Sequence, residues 1–362
     1  MTLVIDNGSG MMKVGFSGDE APRSVFPTLV GTDGQEDVVG HDARAKSSSL
    51  TITSPVQKNL IVDWDAMEKI WHHTFYNELR VDPKAQPVVL TEPMMNPVSN
   101  RERMVQIMFD TFNVPSMFAA TQAVLSLFAT GRTTGCVIDS GYHTTEITPV
   151  YEAYPMPSAS RGCDIAGLDL TDYLTKLLKD RGYSFNTDRE RNIVRDIKER
   201  LCYVAYDIDQ EQKKANDSPS SVERKFEMPD GKFLVVGRER FLCPELFFTP
   251  KLNGLNLKNL PQCIAESLAF VSPDEREAMY SNMVLAGGST LFEGFCERLT
   301  KEVKAEAPAS ADVQISAPTD RKHIAWIGGS ILAGLPSMES SFVTNEEYKQ
   351  NGASCVHKKW LY

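Results

Sequence analysis

Val4-Ile5-Asp6-Asn7-Gly8-Ser9-Gly10 opens the chain, and far downstream Val137-Ile138-Asp139-Ser140-Gly141 repeats its plan. Each stretch is a short apolar run ending in Asp, followed by a small polar residue and glycine. Such a run predicts a buried strand entering a tight turn whose backbone approaches something closely. Two copies in one chain predict a duplicated domain, each copy presenting its turn to a shared cleft. A third glycine turn, Val284-Leu285-Ala286-Gly287-Gly288-Ser289-Thr290, again follows an apolar run.

Helical stripes separate these turns. Ser99 or Asn100 caps a helix with Met104, Ile107, Met108 and Phe112 on one face. Leu170, Tyr173, Leu174, Leu177 and Leu178 form a second stripe, which Gly182 ends. Ile193, Val194, Ile197, Leu201 and Val204 form a third. The polar stretch from Gln210 to Lys225 reads as a surface loop, as does Ala307 to Ser310. Helices alternating with apolar strands give the α/β class, and 362 residues suit two lobes better than one core.

Glycine turns expose backbone N–H groups that can hold phosphate oxygens. Lys13 can reach the end of a phosphate chain as a point charge, and Asp6 and Asp139 at the strand ends can hold Mg²⁺ through its waters. That combination is what phosphoryl transfer requires. The loops lack the spacing of a P-loop and of a dinucleotide-binding fold. A net charge of −10 argues against sequence-independent nucleic-acid binding. Seven scattered cysteines without a C-x-x-C pair read as reduced thiols of a cytoplasmic or nuclear protein. No signal peptide or membrane span is expected: the most apolar stretch, Phe118 to Ala129, is short and interrupted by Thr121, Gln122 and Ser126. His72-His73 has no ligands at metal spacing and reads as a packed or hydrogen-bonded pair, and the methionines from Met104 to Met117 read as helix core.

Longer runs carry a family resemblance. Asp6-Asn-Gly-Ser-Gly10, Trp71-His-His-Thr-Phe-Tyr-Asn-Glu-Leu-Arg80, Gln122-Ala-Val-Leu-Ser-Leu127, Gly131-Arg-Thr-Thr-Gly135, Ile193-Val-Arg-Asp-Ile-Lys-Glu199 and Trp326-Ile-Gly-Gly-Ser-Ile-Leu332 resemble actin and actin-related proteins, in order along the chain. The resemblance implies duplicated actin-like ATPase domains around a central nucleotide cleft. It places residues 1–129 with 324–362 in one lobe, with a small subdomain at 28–54, and 130–323 in the other, with a subdomain at about 166–255. The implied cofactor is ATP or ADP with Mg²⁺ or Ca²⁺. Gly8, Ser9, Gly10, Met11 and Lys13 would form the first phosphate turn, and Ser140 and Gly141 the second. Asp6 and Asp139 would organise the metal and Gln122 the attacking water, while Lys198, Glu199, Gly287, Gly288, Ser289 and Lys322 would surround the adenosine. The charges of Lys198 and Glu199 are expected to stay off the apolar stripe of their helix.

Four departures from the family pattern stand out. Tyr142 and His143 replace an Asp-Gly pair beside the γ-phosphate, which puts hydrolysis in doubt. The segment after Gly31 is short where actins carry a loop that enters the next subunit of the filament. The acidic tail that actins place before the first strand, which helps engage myosin, is not in this sequence. Lys58-Asn59 replaces the His-Gly pair of the phosphate-sensing loop, and Gly162 replaces an arginine near the phosphate exit, with Arg161 adjacent to compensate. In the loop Leu252-Asn253-Gly254-Leu255, Asn253 occupies a usually apolar position.

Three functions follow. The leading one is an ATP-binding structural subunit of a larger cytoskeletal assembly of the dynactin, axonemal dynein or chromatin-remodeller kind, with other proteins, actin and actin-binding proteins among them, as partners. The second is a self-polymerising divergent actin that hydrolyses ATP. The third, a sugar kinase or Hsp70-type enzyme, lacks an Asp in a matching substrate-base context.

Overall fold

The computed structural model describes residues 1–360. Leu361 and Tyr362, which the sequence reading assigns to the first lobe, lie outside the described residues.

Both echoes fold as strand–turn–strand hairpins at the centre of mixed sheets. The strand Leu3–Asn7 pairs antiparallel with Met11–Phe16 and parallel with Val88–Glu92. The strand Gly135–Ser140 pairs antiparallel with Thr145–Tyr151 and parallel with Met283–Ala286. The duplication extends to register, with Asp6 opposite Lys13 in one hairpin and Asp139 opposite Glu146 in the other. Central strands must be apolar on both faces, and Leu3, Val4, Ile5, Cys136, Val137 and Ile138 are all fully buried.

Two large cores result. One runs from Leu3 to Leu125 and returns at Trp326 to Trp360, and the other runs from Cys136 to Val313. A small apolar cluster with Ala123, Leu127, Val137, Val284 and Ile324 joins them. The chain passes between the cores through the helices Gln122–Phe128 and Ile324–Ala333. These pack backbone to backbone, because a Cβ at Gly328 would collide with the Leu125 carbonyl. Trp326 pins the crossing by donating Nε1–H to the Val4 carbonyl at 3.0 Å.

The small three-stranded sheet Asp37–Val39, Val30–Thr32 and Thr51–Thr53 carries the short helix His41–Ala45. Its tip is closed on itself: Asp33 Oδ1 accepts from the Gln35 and Glu36 amides at 2.9 and 3.0 Å, and Thr32 Oγ1 from Gly34 at 3.1 Å. Asp37 is tied to Lys69 at 2.7 Å.

Four expectations need correction. The helix predicted to start at Ser99 or Asn100 starts at Val98 after Pro97, with no side-chain cap. Asn100 instead donates to the Ile61 carbonyl at 3.3 Å. Its stripe is buried as predicted, although the last turn, Ile107–Thr111, widens to a π-helix and Met117 belongs to the strand Ser116–Thr121. The third stripe ends early. A reciprocal cap between Thr187 and Glu190 starts the helix Asp188–Leu201, and Val204 lies beyond it, buried, donating its amide to the Glu293 carbonyl at 2.8 Å. Finally, Gln210–Lys225 is largely helical, Ile208–Asp217 then Pro219–Val222, with Asp207 accepting from the Gln210 amide at 3.0 Å. Its polarity reflects a surface helix with a single buried side chain, Ala215. The helix Gly167–Asp180 forms as expected, and Gly182 takes the left-handed φ of +90° after it. His73 is hydrogen-bonded to Glu78 at 2.8 Å and His72 packs on Tyr76, while all seven cysteines are free thiols. Among the described residues, no helix is long and apolar enough to cross a membrane.

Candidate functional site

The three glycine turns meet in a cleft of about 730 Å³, within the range of small-molecule sites. Glycine is required where the turns touch. A Cβ on Gly8 would strike the Met11 carbonyl, one on Gly10 would come within 2.8 Å of Tyr142 Cβ, and one on Gly287, at φ +84°, would strike the Ser140 carbonyl. Ser289 stitches the third turn to the second by donating Oγ–H to the Gly141 carbonyl at 2.7 Å.

Asp6 is the anchor of the first turn. It is almost fully buried and accepts from Lys13 Nζ at 2.8 Å, Thr91 Oγ1 at 2.7 Å and Gln122 Nε2 at 2.9 Å. Burial raises its pKa, but the charge and hydrogen bond of Lys13, with Gln122 and Thr91, outweigh that and hold the carboxyl below its ordinary range. Asp139 faces the opposite balance, since its register partner is Glu146 rather than a lysine. Burial, then the charge of Glu146, push its pKa up to about 7 despite Lys13. Glu146 is itself raised by burial and is held across the cleft by Asn59 Nδ2 at 3.0 Å. Asn59 and Lys58 make the turn between Val56–Gln57 and Leu60–Ile61, both with positive φ, a conformation asparagine tolerates.

A pH dependence follows. In the unfolded chain Asp139 ionises near 3.8, so between about 4 and 7 the folded state holds a proton that the unfolded state lacks. This contribution is complete below the unfolded pKa and is lost as pH rises through the folded one. Melting of ligand-free, metal-free protein at pH 5 and pH 7.5 should show Asp139→Asn gaining stability over the wild type chiefly at the higher pH. Equal differences at both would contradict the raised carboxyl.

Most of the sequence-designated residues meet here. Asp6, Gly8, Ser9, Gly10, Met11, Lys13, Gln122, Asp139, Gly141, Lys198, Glu199, Gly287, Gly288, Ser289 and Lys322 all line the cleft. Ser140 does not: its hydroxyl is fully buried and bonded to Thr145 Oγ1 at 2.7 Å. Lys198 corrects the expectation of a surface charge. It is buried and donates Nζ to the Gly167 carbonyl at 2.6 Å and Thr171 Oγ1 at 3.0 Å, and burial lowers its pKa. Glu199 stays half exposed. Arg161 does not compensate for Gly162, because it is spent on the Ser158 and Ser160 carbonyls and stacks 4.1 Å over Phe270.

Tyr142 and His143 stack at 4.7 Å on the cleft wall, where burial raises the first pKa and lowers the second. Sequence reasoning missed Thr91, Glu146, Asn59, Arg44 and Arg195. Of these only Glu146 left a signal, seven positions after Asp139 as Lys13 stands after Asp6.

The donor set suits a polyanion with a hydrated cation. Arg44 Nε and His143 Nδ1 on the cleft wall, and Thr144 Oγ1 and His323 Nδ1 beside wall residues, are buried polar atoms without partners. No cluster of three or more metal-ligating side chains exists among the described residues. Two carboxylates then suit a Mg²⁺ ion that keeps most of its waters. The comparison with known families agrees with this architecture: the model for actin matches residues 1–361. With the paired hairpins, the joining helices and that match over essentially its whole length, this chain belongs to the actin family.

Proposed function

We propose that the protein clamps ATP or ADP with Mg²⁺ or Ca²⁺ between its lobes and serves as a structural subunit beside partner proteins, hydrolysing ATP slowly and polymerising weakly alone. Actin-family proteins generally bind nucleotide with a divalent cation and work in assemblies. The observation that carries the reading is the convergence of the two hairpin turns, with Lys13 on one and Tyr142 on the other, in one polar cleft. In this reading residues 1–129 with 324–362 clamp from one side and 130–323 from the other, in the cytoplasm or the nucleus. The bound cation would neutralise phosphate charge, with Asp6 and Asp139 holding its waters. Lys13 would bind the terminal phosphates, Lys198 and Lys322 would flank the base, and Gln122, whose Nε2 is already given to Asp6 at 2.9 Å, is oriented at the phosphate end.

Tyr142 brings a neutral phenol to a position the resemblance assigns to a carboxylate, and positioning of water and metal supplies most of the catalysis in such sites. Purified protein should carry nucleotide or be stabilised by Mg-ATP. Single-turnover hydrolysis should rise roughly 10- to 100-fold when Tyr142→Asp and His143→Gly are combined, the scale of a misplaced catalytic group. No stabilisation would defeat the clamp, and no acceleration would defeat the assignment to Tyr142 and His143.

A further inference from the structure

Arg44 belongs to neither phosphate turn. It sits on the short helix His41–Ala45 of the small sheet, yet its side chain lines the cleft with Met11, Tyr142 and Arg195. Its Nη2 reaches only Met11 Sδ, at 3.7 Å, and its Nε is buried without a partner. Arg195 stands on the helix Asp188–Leu201 of the opposite lobe, with its nearest carboxylates, Asp196 and Glu199, at 3.8 and 3.9 Å. The Arg44 guanidinium is driven down to about 10, first by burial and next by the positive charge of Arg195, which Tyr142, Asp196 and Glu199 offset less strongly.

Two guanidinium groups therefore face each other across the cleft, and one of them has donors that nothing in the protein satisfies. A buried cation without an acceptor is costly, and a guanidinium is shaped to take two phosphate oxygens at once. A phosphate between the two would turn their repulsion into a shared attraction and draw the small sheet toward the opposite lobe.

Resting on the nucleotide reading above, we infer that Arg44 is a phosphate-binding residue contributed by the small sheet, which closes on the nucleotide together with Arg195 and makes closure depend on the ligand's charge. Arg44→Gln removes the charge and keeps a polar side chain, while Arg44→Lys keeps the charge without the fork. Calorimetric titration in the presence of Mg²⁺ should use ATP, ADP and adenosine. With Arg44→Gln, ATP binding should weaken about tenfold or more, as for loss of a charged hydrogen bond. ADP should weaken less and adenosine should be unchanged. Arg44→Lys should recover part of the loss, and added salt should weaken ATP binding more steeply in the wild type than in Arg44→Gln. The ligand-free melting temperature of Arg44→Gln should not fall, since no internal partner is lost. Unchanged ATP affinity, or equal losses for all three ligands, would overturn the role of Arg44 while leaving the clamp intact. A wild-type protein that binds neither ATP nor adenosine would remove the nucleotide reading and this inference with it.

Discussion

Lys13→Ala should cost the folded chain about 3–5 kcal/mol and abolish stabilisation by Mg-ATP. Lys13 is the only cation bonded to Asp6, at 2.8 Å, and the two side chains are 15% and 3% exposed. Removing it strands a buried carboxylate whose remaining partners, Thr91 and Gln122, are neutral. Asp6 would then take up a proton more readily, so the variant should also lose stability more steeply as pH rises. The wild type at a nucleotide concentration a hundredfold above Kd should gain about 2.7 kcal/mol, and the variant almost none. The two losses separate in the double variant Asp6→Asn with Lys13→Ala. It should recover much of the stability, because no charge is left buried, but not the response to Mg-ATP. Denaturant melts with and without nucleotide decide the matter. A double variant that regains the nucleotide response would show that Lys13 serves only the fold.

Purified protein should stay monomeric in salt and Mg-ATP that polymerise conventional actin. An open helical filament needs complementary surfaces at both ends of each subunit. The hairpin tip Asp33–Glu36 is polar, closed by its own hydrogen bonds and tethered through Asp37 and Lys69. At the second family contact, Asn253 Oδ1 accepts from Lys176 Nζ at 2.9 Å, which holds the turn Pro250–Asn253 against the helix Gly167–Asp180. Each ~100 Å² of apolar contact forgone weakens a longitudinal bond by about 2.5 kcal/mol, roughly two decades in Kd. Sedimentation and negative-stain imaging at micromolar concentration test this. Long filaments from this protein alone would promote the divergent-actin alternative.

The duplicated architecture was legible in the sequence because its signals are local. An apolar run ending in Asp-x-Gly needs only its own residues to specify a strand and a turn, and helical stripes at Leu170 to Leu178 and Ile193 to Leu201 likewise follow from periodicity. Even the helix Ile208–Asp217 had a readable cap in Asp207, although its polarity led to a loop assignment. Tertiary structure alone decided the electrostatics. Lys198 reads as a surface charge until the helix Gly167–Asp180 packs over it and supplies a carbonyl. Arg161 is drawn away from the cleft by Phe270, from a distant helix, and Arg44 is carried into it by the small sheet. Asp6 and Asp139 look alike in sequence, but register sets a lysine against the first and a glutamate against the second, and their pKa values move in opposite directions. Burial and Coulomb interactions act through space, so they are fixed only when distant segments meet.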